Sequence, residues 1–305
     1  MPELPEVQTT VNGLNTKVLK RTFVDVWSDW KKMVRLRSDF SGTLVGRVKK
    51  PHDFEIFKKE LKGRKIINVW RRAKNVIFDL SGGYSLLVHM KMTGHLLYGT
   101  WSMKRETWTA AKDSVLQEKI NGYLHIIFFL DNGKMIALSD LRKFAKVELW
   151  KTEEFLVSPE FLGWGPEPLE KSFTFEKFQT ALKNKKGKVK QVIMEPKVIA
   201  GIGNIYASEA LWWAKIHPKK SVLKLSRAEL KALYSAIKKV LKAGIDFGGD
   251  SFSDYRDVDG KKGNFEGHKK AYQREGEPCT RCKSKIVREV ITARSAFFCP
   301  TCQKL

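Results

Sequence analysis

Behind the opening residues, Val7, Val11, Leu14 and Val18 recur at helical spacing and predict a first helix that buries one face. From about residue 43 to 150 the pattern shortens to that of strands. IINVW, NVIFDL, YSLLVH, YLHIIFFL, KMIAL and AKVELW follow one another, punctuated by the turn signals SGG at 81–83 and DNG at 131–133. This succession predicts an antiparallel β-sandwich. The stretch GPEP at 165–168 reads as a linker, because two prolines in three positions disfavour both helix and ladder. Helices are expected beyond it: Ser226 and Glu229 form a capping box, and Leu230, Leu233, Tyr234, Ile237 and Leu241 mark a buried stripe. From Gly248 to Gly267 the chain turns polar and glycine-rich, which predicts a long loop.

A length of 305 residues suits two domains or more. Charge narrows the class of partner. The 57 Lys and Arg against 33 Asp and Glu leave a formal +24, well beyond what solubility needs, and the natural counterpart is a polyanion. An anionic membrane is the rival, but its ligands concentrate charge in one tract, whereas these cations run from Lys17 to Lys304. No apolar run approaches the ~20 residues of a membrane span, and the acidic opening lacks a signal peptide's basic and apolar regions. An intracellular protein that binds nucleic acid is expected.

Cys279, Cys282, Cys299 and Cys302 make C-x2-C, sixteen residues, C-x2-C, a spacing that sets four thiolates around one structural zinc on a β-hairpin. Arg294 falls between the two knuckles, where a rigid tip can present a guanidinium to phosphate or sugar. In GIGNIYASEAL, from Gly201, two glycines precede a helix starting near Asn204, and exposed amides at that helix end suit a phosphate. Met92 in HMKMTG and Arg142 and Phe144 in DLRKF follow strands. Singly they read as core or surface; together they read as a wedge that enters a base stack when a nucleotide is extruded. The opening MPELPE sets Glu3 and Glu6 beside Pro2, which carries a secondary amine once Met1 is removed.

These segments, with RRAK before a strand, LGWGPEPL, GIGNIYASEALWWAKIHP, and GEPC leading into FFCPTCQ, occur in the order seen in formamidopyrimidine-DNA glycosylase, which the chain resembles over essentially its whole length. Leu4 in PELPE resembles the oxidised-purine branch; the endonuclease VIII branch more often has glycine there. The resemblance implies an α+β fold: an antiparallel β-sandwich with a flanking helix over 1–155, a linker over 156–170, a helix-two-turn-helix domain with a base-covering loop over 171–268, and a zinc β-hairpin over 269–305. It implies a bifunctional glycosylase and abasic-site lyase of base excision repair, a monomer on double-stranded DNA containing oxidised purines or abasic sites. Pro2 would attack C1′: an α-amine with a pKa of ~7.7–8.0 is partly neutral near pH 7 and needs no dedicated base.

By the same resemblance Glu3 is the acid/base at the sugar, Glu6 a supporting carboxylate, Lys74 the lysine of β-elimination and Arg294 the arginine of δ-elimination. Arg142, Lys186 and Asn204 contact DNA, Met92, Arg142 and Phe144 fill the vacated stack, and the segment from Gly248 to about Phe265 covers the extruded base. Tyr123, Leu141, Asp250 and Gln273 depart from the family pattern and bear on base preference more than on lyase chemistry. Two other readings stand beside this one: an endonuclease VIII-like enzyme for oxidised pyrimidines, and a non-catalytic zinc-containing DNA-binding relative. A zinc deaminase is excluded by the missing His-x-Glu with Pro-Cys-x-x-Cys.

Overall fold

The computed structural model describes residues 1–38, 46–47, 51–111, 114–251 and 254–305; positions 43–45 and 48–50 of the strand-like region, and 252–253 of the expected covering loop, lie outside them. The chain divides into two compact units. One comprises residues 1–2, 6–162 and 248–263, the other 3–5, 163–247 and 264–305. The first helix, α1 (Leu4–Val18), therefore gives its opening residues to one unit and its body to the other.

The first unit is the expected sandwich. Its strands are β1 (Phe23–Ser28), β2 (Val34–Leu36), β3 (Gly46–Arg47), β4 (Ile66–Arg72), β5 (Asn75–Leu80), β6 (Tyr84–His89), β7 (His95–Gly99), β8 (Trp101–Lys104), β9 (Thr107–Ala110), β10 (Leu124–Leu130), β11 (Met135–Ser139) and β12 (Lys146–Lys151). One sheet has the order β1-β10-β11-β7 and the other β3-β2-β12-β6-β5-β4. Alternate side chains of both, such as Phe78, Val88, Phe128 and Val147, join Val7, Val11, Leu14 and Val18 of α1 in one core, as helical and strand periods require.

Two features correct the sequence reading. Within the strand-like region, α2 (Pro51–Leu61) is a helix, because its buried Phe54, Phe57 and Leu61 fall at spacings of three and four. The sheet is also not wholly antiparallel, since β12 runs parallel to β2 with Val147 opposite Val34. A parallel pair needs a long crossover, and more than a hundred residues separate these strands. The pairing sets the beginnings of β2 and β12 side by side, together with the end of β6, which is antiparallel to β12.

The segment 248–263, a loop by sequence, is a strap on this unit. Val258 is buried in the sandwich core, its carbonyl accepts from Tyr98 N–H at 2.7 Å, and a Cβ on Gly13 would come 2.5 Å from its Cγ2. Two short helices, α3 (Thr152–Leu156) and α4 (Pro159–Leu162), close the unit.

The second unit is built on α5 (Phe175–Leu182), α6 (Val189–Ile193), α7 (Asn204–Ala214) and α8 (Arg227–Asp246) around Phe178, Tyr206, Leu211, Ile237 and Leu241. The capping box opens α8 as expected, with Ser226 and Glu229 each accepting from the other's backbone. Residues 165–168 are tied down here: Gly165 N–H donates to Pro196 O at 2.8 Å and Ala200 N–H to Pro166 O at 3.0 Å. The chain ends in a hairpin of β13 (Val287–Ile291) and β14 (Arg294–Phe298). No helix among the described residues is long and apolar enough to cross a membrane.

Candidate active site and nucleic-acid interface

Glu3 is buried at 2% exposure, which a carboxylate tolerates only when its oxygens are bonded. They are bonded by the start of α7. Gly203 N–H donates to Oε2 at 2.7 Å, Ile205 N–H to Oε1 at 2.9 Å and Tyr206 N–H to Oε2 at 3.4 Å, so three amides that precede the helical ladder are satisfied by one carboxylate. The approach requires glycine. A Cβ on Gly203 would run into the Glu3 carboxyl carbon, and one on Gly201, at φ +84°, would come 2.7 Å from Leu4 Cβ. The expectation that these amides lie exposed for phosphate is thereby corrected: they face inward onto Glu3. Asn204 opens the helix as predicted, and its Oδ1 is buried with no hydrogen-bond partner.

Glu6, equally buried, has a different holder. Its Oε1 accepts from Asp250 N–H at 2.8 Å, and its carbonyl accepts from the Tyr255 hydroxyl at 2.9 Å. Gly248 and Gly249, which lead into this contact, have φ of +73° and +89°. Tyr255 is buried beside Thr10 and Glu6, and burial pushes its phenol well above the ordinary range.

The wedge candidates occupy two neighbouring turns that a buried carboxylate joins. Thr93 Oγ1 donates to Asp140 Oδ1; Arg142 N–H donates to Thr93 Oγ1 at 3.1 Å, and Ala145 N–H to Asp140 Oδ2 at 2.8 Å. Asp140 is fully buried, so it staples the β6–β7 turn to the β11–β12 turn. Met92 and Phe144 stay 41% and 51% exposed, which is unusual for apolar side chains held this firmly. The Arg142 guanidinium lies 4.6 Å from the Phe144 ring centre. The Leu141 departure leaves this turn capped by Asp140. Lys74 sits in the β4–β5 turn behind Ala73, at φ +53°, and its charge helps to lower the pKa of half-buried His89, whose shift to about 3 owes most to desolvation.

In the second unit, Arg294 opens β14 just after the left-handed tip residues Thr292 and Ala293 and is exposed. Lys186 is exposed in the turn before α6. Lys190 is a buried lysine that sequence reasoning did not single out. It is 2% exposed, its Nζ donates to Ser295 O at 2.7 Å, and burial lowers its pKa to about 7, with Glu3 raising and Arg294 lowering it. With Arg294 it lines a cavity of about 330 Å³ between α6 and the hairpin. Its only sequence signal was a lysine among the many of KKGKVKQ.

The four cysteine sulfurs all lie within 4.8 Å of one another. Tetrahedral zinc with Zn–S of about 2.3 Å asks for sulfurs about 3.8 Å apart, so the set fits one zinc ion with no position left open for substrate. The zinc is structural. Arg281, on the first knuckle, donates to Trp212 O at 2.7 Å and Trp213 O at 3.2 Å and so caps the end of α7. Midway along the same helix, buried Glu209 accepts from the amides of Lys270, Ala271 and Tyr272 at 2.8, 2.9 and 2.8 Å. The helix that cradles Glu3 is thus fastened to the zinc segment at two points.

Comparison with known proteins gives one consistent answer. Family models match residues 1–147 as the formamidopyrimidine-DNA glycosylase N-terminal domain, 164–256 as the H2TH domain of the same glycosylase, and 276–305 as the zinc finger found in FPG and IleRS. A formamidopyrimidine-DNA glycosylase of Heliobacterium modesticaldum is 36% identical over 304 residues, covering 100% of both chains. One from Herpetosiphon aurantiacus is 37% identical over 304 residues, covering 99% of this chain and 100% of the relative. Among solved structures, Lactococcus lactis Fpg in complex with abasic-site DNA superposes with a TM-score of 0.82 at 30% identity, covering 99% of this chain and 100% of the other. The same protein in complex with Fapy-dG-containing DNA gives 0.81 at 30% identity, again covering 99% of this chain and 100% of the other.

Proposed function

The chain belongs to the formamidopyrimidine-DNA glycosylase family, and from that premise we propose that it excises oxidised purines from double-stranded DNA and then cleaves the strand at the abasic site. The observation that carries this reading is the buried Glu3 carboxylate, fixed by three α7 amides one residue after Pro2. With Met1 removed, the Pro2 nitrogen attacks C1′, the glycosidic bond breaks, and its electron pair leaves with the base. The Glu3 carboxylate takes the proton that the Pro2 nitrogen loses on forming the bond to C1′ and passes it to the ring oxygen as the sugar opens to the iminium. The resulting iminium stays charged because the amine is secondary, and it acidifies the C2′ proton. Loss of that proton expels the 3′-phosphate, and a second elimination expels the 5′-phosphate, with Lys74 serving the first and Arg294 the second.

Glu6 supports the amine and anchors the covering segment. Met92 and Phe144 fill the vacancy, Arg142 satisfies the orphaned partner base, and Lys186 and Asn204 hold phosphates. The functional division into a catalytic domain over 1–155, a linker over 156–170, a helical domain over 171–268 and a hairpin over 269–305 belongs to the same proposal. Zinc holds the hairpin and enters no step.

Borohydride trapping on a duplex bearing one 8-oxoguanine tests the reading. Protein that begins at Pro2 should form a covalent adduct and excise the base; protein retaining Met1 should bind the duplex and do neither. Full excision by a chain whose Pro2 nitrogen is an amide would end the proposal.

A further inference from the structure

Beside the wedge lies a concavity of about 390 Å³ that the proposed chemistry leaves unused. It exists because β2 and β12 are parallel. Their beginnings lie together, so the turn before β2, with Trp30 and Lys32, meets the turn before β12, with Lys143 and Lys146, and the end of β6 adds Lys91. Arg35 completes a lining with five cations, and no described carboxylate lines it.

Arg35 is paired to buried Glu148 at 3.5 Å, but no described carboxylate lies within ion-pair distance of the other four. Elsewhere in the unit lysines find acids: Lys17 pairs with Asp259 at 2.9 Å and Lys58 with Asp25 at 3.1 Å. Nor are the pocket's cations merely loose surface chains. The Trp30 ring holds the Lys143 and Lys32 ammoniums at 4.8 and 5.2 Å from its centre, which orients two like charges without neutralising either. Lys91 is half-buried, and after burial itself the charge of Lys146 is what most lowers its pKa. Glu148, behind the pocket, offsets part of the charge on Arg35, Lys91 and Lys146, but five convergent cations exceed it, and the excess is stabilised by an anion that enters between them.

We propose that this pocket binds one backbone phosphate of DNA next to the point where Phe144 enters the stack. The inference rests on the DNA-glycosylase reading and deepens it, adding a positioning contact that is blind to whether a base is damaged. Phe144 lines both the pocket and the wedge turn, so a phosphate seated here fixes the duplex one step from the inserted ring.

The test is equilibrium binding of the full chain, across a salt series, to a duplex with one tetrahydrofuran abasic analogue and to its undamaged counterpart. Wild type is compared with the double variant Lys32→Gln/Lys146→Gln and with Lys146→Arg. The double variant should lose about tenfold in affinity for both duplexes alike, and its slope of log affinity against log salt should be shallower by about 0.9, one phosphate's share. Lys146→Arg should keep both. A neutral methylphosphonate moved along each strand should weaken wild type at one position where the double variant is indifferent, which also identifies the strand. Wild-type affinity and slope in the double variant, or the same methylphosphonate penalties in both proteins, would overturn the pocket. Equal wild-type affinity for the two duplexes would instead count against the damaged-base reading, because the pocket's effect is the same on both.

Discussion

Two carboxylates three residues apart, Glu3 and Glu6, are buried to the same degree and both accept backbone amides, yet they are held by different kinds of structure. Glu3 is fixed by three amides at the start of an eleven-residue helix that Arg281 of the first zinc knuckle caps at its other end. Glu6 holds one amide of a glycine-led strap whose described backbone enters the left-handed region at Gly248, Gly249 and Gly260. The difference separates two requirements. In the proposed mechanism the group that meets the sugar is held by a helix start, while the carboxylate that supports the amine is held by the covering segment.

Removing zinc should break the rigid side most completely. Structural zinc contributes about 10–16 kcal/mol of apparent binding free energy in small finger domains, far more than a hairpin of two five-residue strands can replace. Chelation, or Cys279→Ser, should unfold the hairpin, release the cap on α7 and abolish excision. The sandwich should keep its own cooperative melt by circular dichroism. A zinc-free protein with wild-type excision would show that α7 needs no anchor at its far end.

Gly203→Ala acts on the same side by one methyl group. The added Cβ overlaps the Glu3 carboxyl carbon, so either the side chain or the helix start must move, and a displacement of about 1 Å in a catalytic group costs ~10²-fold in rate. In the proposed mechanism Glu3 acts at the sugar, so the loss should be equal for an 8-oxoguanine duplex and for a preformed abasic site in single-turnover assays. A loss confined to the intact lesion would place Glu3 on the base side of the comparison.

Local features of both regions were legible in the sequence. The α8 capping box and the α1 stripe follow from residues within one or two turns of each other, and the cysteine spacing is itself a description of the zinc site. What escaped depends on partners far along the chain. The Thr93–Asp140 staple joins residues 47 apart, and the occupant of the Gly203 amides lies 200 residues upstream, so a glycine turn before a helix read as an open phosphate site. The helix α2 was hidden within a strand-rich region, and the parallel β2–β12 pair has no local signature at all.

Acid should test the strap side first. His95 is fully buried, its Nε2 lies 2.9 Å from Asn121 Oδ1, and Asn121 Nδ2 in turn donates to Gly260 O of the strap at 3.3 Å. Burial lowers the His95 pKa to about 4 from an ordinary 6.5, so the fold holds it neutral while the unfolded chain protonates. The stability this provides is complete above pH 6.5 and is lost as pH falls towards 4, about 3 kcal/mol in all at ~1.4 kcal/mol per unit. Glu209 in the second unit has the opposite sign: burial raises its pKa, so acidification relieves it. Urea melts at pH 6.5 and 4.5 should show the sandwich losing stability relative to the helical unit, and His95→Gln should remove roughly half of that dependence, leaving the part due to His89, whose pKa is lowered to about 3. Parallel losses in both units would remove His95 from the explanation.

The smallest expected effect is the sharpest on the adaptable side. Arg256, 3% exposed at its side chain, forks onto Glu118 through Nε to Oε2 at 2.7 Å and Nη2 to Oε1 at 2.6 Å, while Nη1 donates to Tyr255 O at 2.8 Å. These bonds hold the Glu118 carboxyl below the usual carboxylate range and pin the strap one residue after Tyr255, whose hydroxyl reaches Glu6. Arg256→Lys keeps the charge but loses the planar fork, so the strap should stay in place while losing its register. Excision of 8-oxoguanine should fall roughly five- to tenfold, the order of one ordinary hydrogen bond at about 1 kcal/mol net, since the charge itself is kept. Cleavage at a preformed abasic site, which has no base to cover, should stay within about twofold. Glu118→Gln should behave likewise, and the double variant should be no worse than either single one if the pair acts as a unit. An equal fall on both substrates would mean that the pair stabilises the sandwich without positioning the strap. No fall on either would mean that Glu6 and Val258 suffice to hold it.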